Sequence, residues 1–377
     1  MVFVCGGTHL ESRVITLVDL DYFYAQVEER RNPSFRDKPV VVCVYSGRTE
    51  DSGAVSTANY VAREFGVKSG MPIFLAKRKL KDVDAVFLPM DHAFYEEVSD
   101  DVMAILRGFA DIFEQVGIDE AYLDMTRRTS GSFEAAYELA QQLREEVKAR
   151  ENLTCSVGVG PNKLVAKIAA DFQKPDGLTV VKPERVESFL APLPVKRLMG
   201  VGTKIGKMME SLGIETVGDL ARYDVQALIE AFGRNLGIYL RSASLGIDEA
   251  PVQERGEPES ISRISTLKED SRDLEAISER IAELCKDVHV KVLERNVSFR
   301  SVGLIAVLTD MSIRSRSKTL ESPSRDLEVL KDIANELVGR LLDEVELEVR
   351  RIGVKVSRFT QQEKQKALTD FIGNRGR

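Results

Sequence analysis

The stretch VGIDEAYLDM, Val116 to Met125, sets two adjacent carboxylates, Asp119 and Glu120, inside an apolar run. Burying an unpaired charge is costly. A fold that accepts this run must therefore bring something positive to it. A second apolar run, Val14 to Leu20, carries Asp19 near its end and Asp21 just beyond. If the two runs are neighbouring strands of one sheet, Asp19, Asp119 and Glu120 can converge at one end of it. Successive strand residues face opposite ways, so a bend at Gly117 to Glu120 is required, and the pattern reads as a hairpin there. Three carboxylates without a nearby His are a hard oxygen donor set, suited to Mg²⁺ or Mn²⁺ rather than Zn²⁺. Two such ions about 3.5–4 Å apart are the usual device for in-line phosphoryl transfer. A plain polar hairpin turn, which Asp also favours, accounts for the same residues.

The rest of the chain divides by its periodicity. Residues 13–179 mix short β-branched strands with amphipathic helices, an α/β or α+β pattern. From Lys182 to about Gly246 the strand signal vanishes, and short helices alternate with Gly-containing turns. IDEAPVQERGEPES reads as a linker, with acids, two prolines and a glycine among polar residues. Residues 259–360 return to strands and helices in the order βαββαβ. The predicted fold is thus multidomain, α/β and α+β around a small all-α part.

Bulk properties narrow the partners. The 377 residues exceed one hydrophobic core. Net charge is −7, so a nucleic-acid partner would require basic residues grouped on particular faces. Cys5, Cys43, Cys155 and Cys285 are far apart and form no CxxC pair, which argues against a zinc site or a disulfide framework and fits a reducing cytoplasm. Apolar runs are strand-sized, so no membrane span is expected, and the N-terminus lacks the pattern of a signal peptide.

VDLDYFYAQVEE, SGAVSTANYVAREFGVKSGMP, GIDEAYLD and VGVGPNKLVAKIAADFQKPDG stand in this order. Together they resemble the successive motifs of Y-family DNA polymerases, of the archaeal DinB or DNA polymerase IV type. The resemblance implies a right-hand architecture: palm at 13–30 and 88–179, fingers at 31–87, thumb at 180–247, linker at 248–258 and a βαββαβ little finger at 259–360. It implies that Asp19, Asp119 and Glu120 are catalytic metal ligands, with the Leu20 carbonyl as a further ligand, for two Mg²⁺ with Mn²⁺ as a substitute. Tyr24 matches the steric gate that excludes a ribose hydroxyl; by itself it reads as a core aromatic. Tyr60 and Arg63, three apart on one helix face, match triphosphate contacts, with Lys174 as a third. Ser56 and Thr57 match a small-residue floor beneath the templating base. Asp21 and Asp124 are expected to be structural. The implied activity is template-directed addition of dNTPs to a primer 3′-OH, with low fidelity, lesion bypass in DNA repair and no proofreading exonuclease.

Two segments suggest how DNA is held. MGVGTKIG, Met199 to Gly206, resembles a helix-hairpin-helix, whose glycines Gly200 and Gly202 admit a phosphate beside Lys204. In SIRSRSKTL, Arg314, Arg316 and Lys318 alternate with small residues; in RRIGVKVSRF, Arg351 and Lys355 alternate with apolar ones. The expectation is one basic sheet face set against DNA, with acidic helices behind. A sheet face kept soluble by charge is the plainer alternative. In the tail, 361–377, Gln365, Leu368, Phe371 and Ile372 have the spacing of a sliding-clamp-binding peptide, although Ile372 stands where a second aromatic is usual. Partners expected are primer-template DNA, dNTP and a sliding clamp bound through the tail, with no membrane, and the protein is expected to be a monomer. A non-catalytic DNA scaffold and a palm-like nucleotidyl cyclase are the rivals. The intact carboxylates with Lys174 argue against the first, and the DNA-holding segments against the second.

Overall fold

The computed structural model describes residues 13–254, 256 and 258–361. The predicted clamp-binding residues Gln365, Leu368, Phe371 and Ile372 lie outside the described residues. In chain order the first elements are β1 (Ile15–Leu20), α1 (Phe23–Arg31), β2 (Val40–Tyr45), β3 (Gly53–Ala58), α2 (Tyr60–Glu64), α3 (Ile73–Lys79) and β4 (Val86–Pro89). Next come α4 (His92–Gly108), β5 (Ile112–Gln115), β6 (Glu120–Asp124), α5 (Phe133–Glu151), β7 (Cys155–Gly160), α6 (Lys163–Ala170) and β8 (Leu178–Val180). The helical stretch holds α7 (Val186–Leu190), α8 (Thr203–Ser211), α9 (Val217–Arg222), α10 (Val225–Phe232) and α11 (Arg234–Ser244). The C-terminal part runs β9 (Ser260–Ser271), α12 (Leu274–Glu294), β10 (Val297–Leu308), β11 (Ile313–Ser324), α13 (Leu327–Glu344) and β12 (Val349–Gln361).

Contacts group the chain into two compact units. Of the described residues, one comprises 13–43, 55–71 and 75–254; the other comprises 44–54, 72–74, 256 and 258–361. The first unit is built on a sheet of order β5-β6-β1-β7-β8. All six residues of β1 are buried, as their apolar and β-branched sequence predicts. Val18 and Leu20 join a core with helices α4 and α5, while Ile15 and Leu17 pack with Tyr122, Ala166 and Ala170 on the α6 side. Side chains alternate along a strand, so Asp19 shares the α6 side with Leu17. Helix starts follow their capping residues: Asp91 accepts from the Phe94 N–H, Ser132 from Ala135 and Asn162 from Val165.

A smaller sheet has the order β3-β2-β4, with β2 and β4 parallel. The predicted border between residues 87 and 88 therefore falls inside β4 and is corrected: Val86 to Pro89 completes this sheet. The predicted linker is also more constrained than its polar composition suggested. Val252 is 3% exposed and packs with Ile15, Leu17 and Tyr122. The Asp248 carboxylate accepts from the Leu164 N–H, and Glu114 accepts from the Gln253 N–H. This segment is a strap on the first unit up to Glu254.

The C-terminal part has the predicted βαββαβ order, folded as an antiparallel sheet β11-β10-β12-β9. Ile277, Ile281 and Leu284 of α12 and Leu337 and Leu341 of α13 share a core with Val302, Leu304, Ile352 and Val354. Both helices thus cover one face of the sheet.

Candidate active site

Asp19 lies directly opposite Glu120 in the β1–β6 register. Like charges facing across a strand pair repel, so this pairing needs a cation. Helix α6 supplies it: the Lys167 ammonium donates to Asp19 Oδ2 at 3.0 Å and also to Glu120 Oε2. The other Asp19 oxygen accepts from Lys174 at 2.7 Å, and Lys174 reaches Asp171 at 2.9 Å. Burial alone would lower both lysine pKa values, but Asp19 and the second acid of each pair outweigh it and hold both ammoniums charged.

Asp119 sits in the bend just before β6, as the adjacent-carboxylate problem required. Its carbonyl accepts from the Leu20 N–H at 2.8 Å, and the turn closes through Val116 and Gly117 N–H groups onto the Glu120 carbonyl. Ser99 of α4 donates to the Ile118 carbonyl and pins the turn from behind. Burial, then Asp19 and Glu120, push the Asp119 carboxyl above the usual carboxylate range.

These donors are all oxygen, and Asp19 and Glu120 already hold one cationic atom between them. Their donor chemistry suits hard divalent ions. Among the described residues, no three His, Cys, Asp or Glu side chains are gathered closely enough to hold an ion together. The lysines, rather than a third acid, complete the shell around Asp19 and Glu120.

The approach of α6 to the sheet depends on glycine. A Cβ at Gly158 of β7 would lie 2.1 Å from the Ala166 carbonyl oxygen and 2.2 Å from the Ala170 nitrogen. No side chain fits there, so this glycine brings Lys167 within reach of the carboxylates. Asp21 is structural, as expected. It is 1% exposed and accepts from Thr154 at 2.9 Å, Ser156 at 2.7 Å and the Asp176 N–H at 2.8 Å. Asp124 accepts from the Thr126 N–H and shapes a turn.

Tyr24 is half-buried on α1 and stacks on Tyr95 of α4, ring centroids 4.7 Å apart. Tyr95 is fully buried and donates to Glu28 at 2.8 Å. Burial, then Asp119 and Glu96, raise the Tyr24 pKa, so the phenol stays neutral beside the acids. Tyr60 lies edge-on to Tyr22 and carries the Arg63 guanidinium 4.7 Å from its ring centre. Arg63 donates from Nε to the Ala58 carbonyl, which leaves the fork of its guanidinium free of that bond. Ser56 and Thr57 are half-buried on β3. Sequence reasoning missed Lys167 and Tyr95. Lys167 stood within a quoted motif, four residues from Lys163 and thus on one helix face; Tyr95 carried no signal beyond its place in an apolar helix face.

A cleft of about 820 Å³ is lined by Glu120, Tyr122, Lys163, Met199, Tyr239 and Asp248. It runs from Glu120 to Met199 at the start of the predicted hairpin. Gly200 adopts φ +82°, which only glycine takes readily, and Gly202 precedes α8. Tyr239 donates to the Met199 carbonyl at 2.9 Å, and Lys204 is exposed.

The single basic sheet face expected in the C-terminal part is corrected. Arg314, Arg316 and Lys318 pair across β10 with Ala306, Leu304 and Val302, which face the helices. Arg316 accordingly bonds Glu344, and Lys318 bonds Glu336 of α13 at 2.6 Å. Arg351 and Lys355 stand opposite Val307 and Gly303 and point to the other, open face. Alternation within each strand was read correctly; the register that decides which face was not in either strand's sequence.

Residues 18–171 match the impB/mucB/samB family, 258–369 its C-terminal domain, and 193–247 the helix-hairpin-helix motif of DNA polymerase eta and Rev1. DNA polymerase IV of Nitrosopumilus maritimus is 46% identical over 96% of this chain and 100% of its own. DNA polymerase IV 1 of Methanosarcina mazei is 46% identical over 95% of this chain and 99% of its own. Among solved structures, the Y-family DNA polymerase chimera Dbh-Dpo4(243-245)-Dbh matches with TM-score 0.87 and 37% identity, covering 92% of this chain and 99% of that one. DinB from Sulfolobus solfataricus matches with TM-score 0.64 and 35% identity, over 91% and 98%. With carboxylates at the end of a palm-type sheet and such relatives along nearly its whole length, the chain belongs to the Y-family DNA polymerases and is a DNA-directed DNA polymerase with a right-hand fold and a βαββαβ little finger.

Proposed function

We propose that this chain extends a primer 3′-OH on template DNA by phosphoryl transfer with two Mg²⁺, at low fidelity, past damaged template bases and without proofreading. The carrying observation is the cluster at one sheet end: Asp19 opposite Glu120, Asp119 in the adjoining bend, and Tyr24 stacked beside them. Asp19, Asp119, Glu120 and the Leu20 carbonyl would hold the ions. Bound there, divalent ions lower the pKa of an attacking hydroxyl and neutralise a leaving pyrophosphate. Lys174, Arg63 and Tyr60 would orient the triphosphate, since ammonium and guanidinium groups are the natural partners of phosphate oxygens. Tyr24, held flat by Tyr95, would block a ribose hydroxyl. Ser56 and Thr57 would form a roomy floor beneath the templating base, which suits bulky or distorted templates.

The neighbours titled as an insertion ternary complex and a post-insertion binary complex of Dbh DNA polymerase support DNA and nucleotide as ligands. In this reading Gly200, Gly202 and Lys204 hold primer backbone, and Arg351 and Lys355 hold duplex phosphates. The palm spans 13–30 and about 90–179, the thumb 180–247 and the little finger 259–360. The enzyme works as a cytoplasmic monomer, recruited to a sliding clamp by its tail. No helix among the described residues is long and apolar enough to cross a membrane.

The test is primer extension with Mg²⁺ and all four dNTPs on an undamaged template and on one with an abasic site. Extension past the lesion, with misinsertions left in place, is expected. Extension that stops at the lesion, or 3′-to-5′ removal of a mispaired end, would overturn the corresponding part.

A further inference from the structure

We propose that Lys167 is an internal counter-cation that competes with a divalent ion for Asp19 and Glu120 and thereby sets the metal affinity of the active site. This rests on the reading of those acids as metal ligands. Three observations carry it. A single ammonium nitrogen bonds both carboxylates, at 3.0 Å to Asp19 and also to Glu120, so it engages oxygens of both groups that would hold an ion. The second oxygen of Asp19 is held by Lys174 at 2.7 Å, so Asp19 offers no oxygen without an ammonium on it. The place is built rather than incidental: Gly158 admits α6 so closely that no other residue fits there, and α6 carries Lys167.

Two positive centres cannot share the same carboxylate oxygens without repulsion. An ion held by Asp19 and Glu120 would have to displace the Lys167 ammonium. Lysine suits such an exchange: it is a point charge on a flexible four-carbon stem, and it can swing aside where an arginine fork would stay locked to both acids. The Lys167 side chain is 22% exposed, so its head has a path toward solvent. Lysine also answers a stability need, because Asp19 and Glu120 would otherwise face each other unpaired. Lys167 therefore keeps the empty acids tolerable and raises the concentration of metal needed to fill them.

The experiment titrates Mn²⁺ into the full chain without DNA or nucleotide and follows the free-ion signal by electron paramagnetic resonance. Wild type, Lys167→Met, Lys167→Arg and Asp19→Asn are compared. Lys167→Met keeps the aliphatic stem and removes the charge; it is expected to bind Mn²⁺ at least about tenfold more tightly than wild type. Lys167→Arg is expected to bind no more tightly than wild type. Thermal melting supplies a second readout that does not need a binding isotherm. Lys167→Met should melt lower than wild type in chelator and recover more on Mn²⁺ addition, because a ligand that binds the folded state stabilises it. Equal or weaker Mn²⁺ binding by Lys167→Met, with Asp19→Asn still weakening wild type, overturns the counter-cation proposal alone. Binding that Asp19→Asn leaves unchanged overturns the metal-site reading, and the proposal with it.

Discussion

Gly158→Ala probes how the fold delivers charge to the site. The new Cβ would meet the Ala166 carbonyl oxygen at 2.1 Å, the Ala170 nitrogen at 2.2 Å and the Ala169 carbonyl carbon at 2.8 Å. All three are backbone atoms, so no side chain can rotate away. Ordinary contact is about 3.5 Å, so α6 must retreat by roughly 1 Å. Overpacking of this kind costs about 1–3 kcal/mol, and a backbone clash belongs at the upper end, about 3 kcal/mol. For a unit of some 150–250 residues, 1 kcal/mol lowers Tm by about 2–4 °C. The transition of the unit holding β7 and α6 should therefore fall by roughly 6–12 °C in calorimetry. Lys167 moves with the helix, so its ion pairs with Asp19 and Glu120 lengthen. A misplacement near 1 Å can cost about a hundredfold in rate, and single-nucleotide incorporation should fall by that order at temperatures where the variant stays folded. Gly339→Ala is the control. It lies inside α13 with no atom within 4 Å of a new Cβ, and it should stabilise by about 1 kcal/mol through helix propensity. An unchanged melting point and rate for Gly158→Ala would refute the close-approach argument.

Further expectations are narrower. Tyr24→Ala removes the ring stacked on Tyr95 and should raise ribonucleotide incorporation relative to deoxyribonucleotide by at least about tenfold, a pocket discrimination of ordinary size, read in single-turnover incorporation. Lys355→Ala should lower the slope of log affinity for primer-template against log salt by about one, whereas Arg316→Ala, whose guanidinium is engaged by Glu344, should change it less. The Thr216 hydroxyl and backbone hold the Asp219 carboxyl below its usual range. A depressed carboxylate pKa contributes stability that is present at neutral pH and lost as pH falls through the folded-state value. Thr216→Val should flatten this acid limb of the melting curve, measured between neutral pH and the acid range.

What the sequence made legible follows from how local each cause is. The buried strand of β1, the bend before Glu120 and the βαββαβ order came from periodicity and turn residues within a few positions. The acids were found because two charges in an apolar run are conspicuous. Lys167 was not, because a lysine on a helix looks solvated until Gly158, on another strand, lets the helix approach. Tyr95 was hidden for the same reason: its partners Tyr24 and Glu28 lie about seventy residues away. The strap at 248–254 read as a linker because its anchors are one valine, the Asp248 carboxylate and a backbone N–H, whose partners lie far away in the sequence. The basic strands were assigned one face because alternation fixes parity within a strand, while the register between β10, β11 and β12 decides the face.

The most direct measurement is primer extension by wild type and Asp119→Ala, at equal DNA occupancy, with Mg²⁺ and dNTPs. Loss of a carboxylate from a metal-dependent phosphoryl-transfer site removes several kcal/mol of transition-state stabilisation, so the account predicts a fall of at least about a thousandfold while DNA binding persists. Extension by Asp119→Ala within about tenfold of wild type would contradict it.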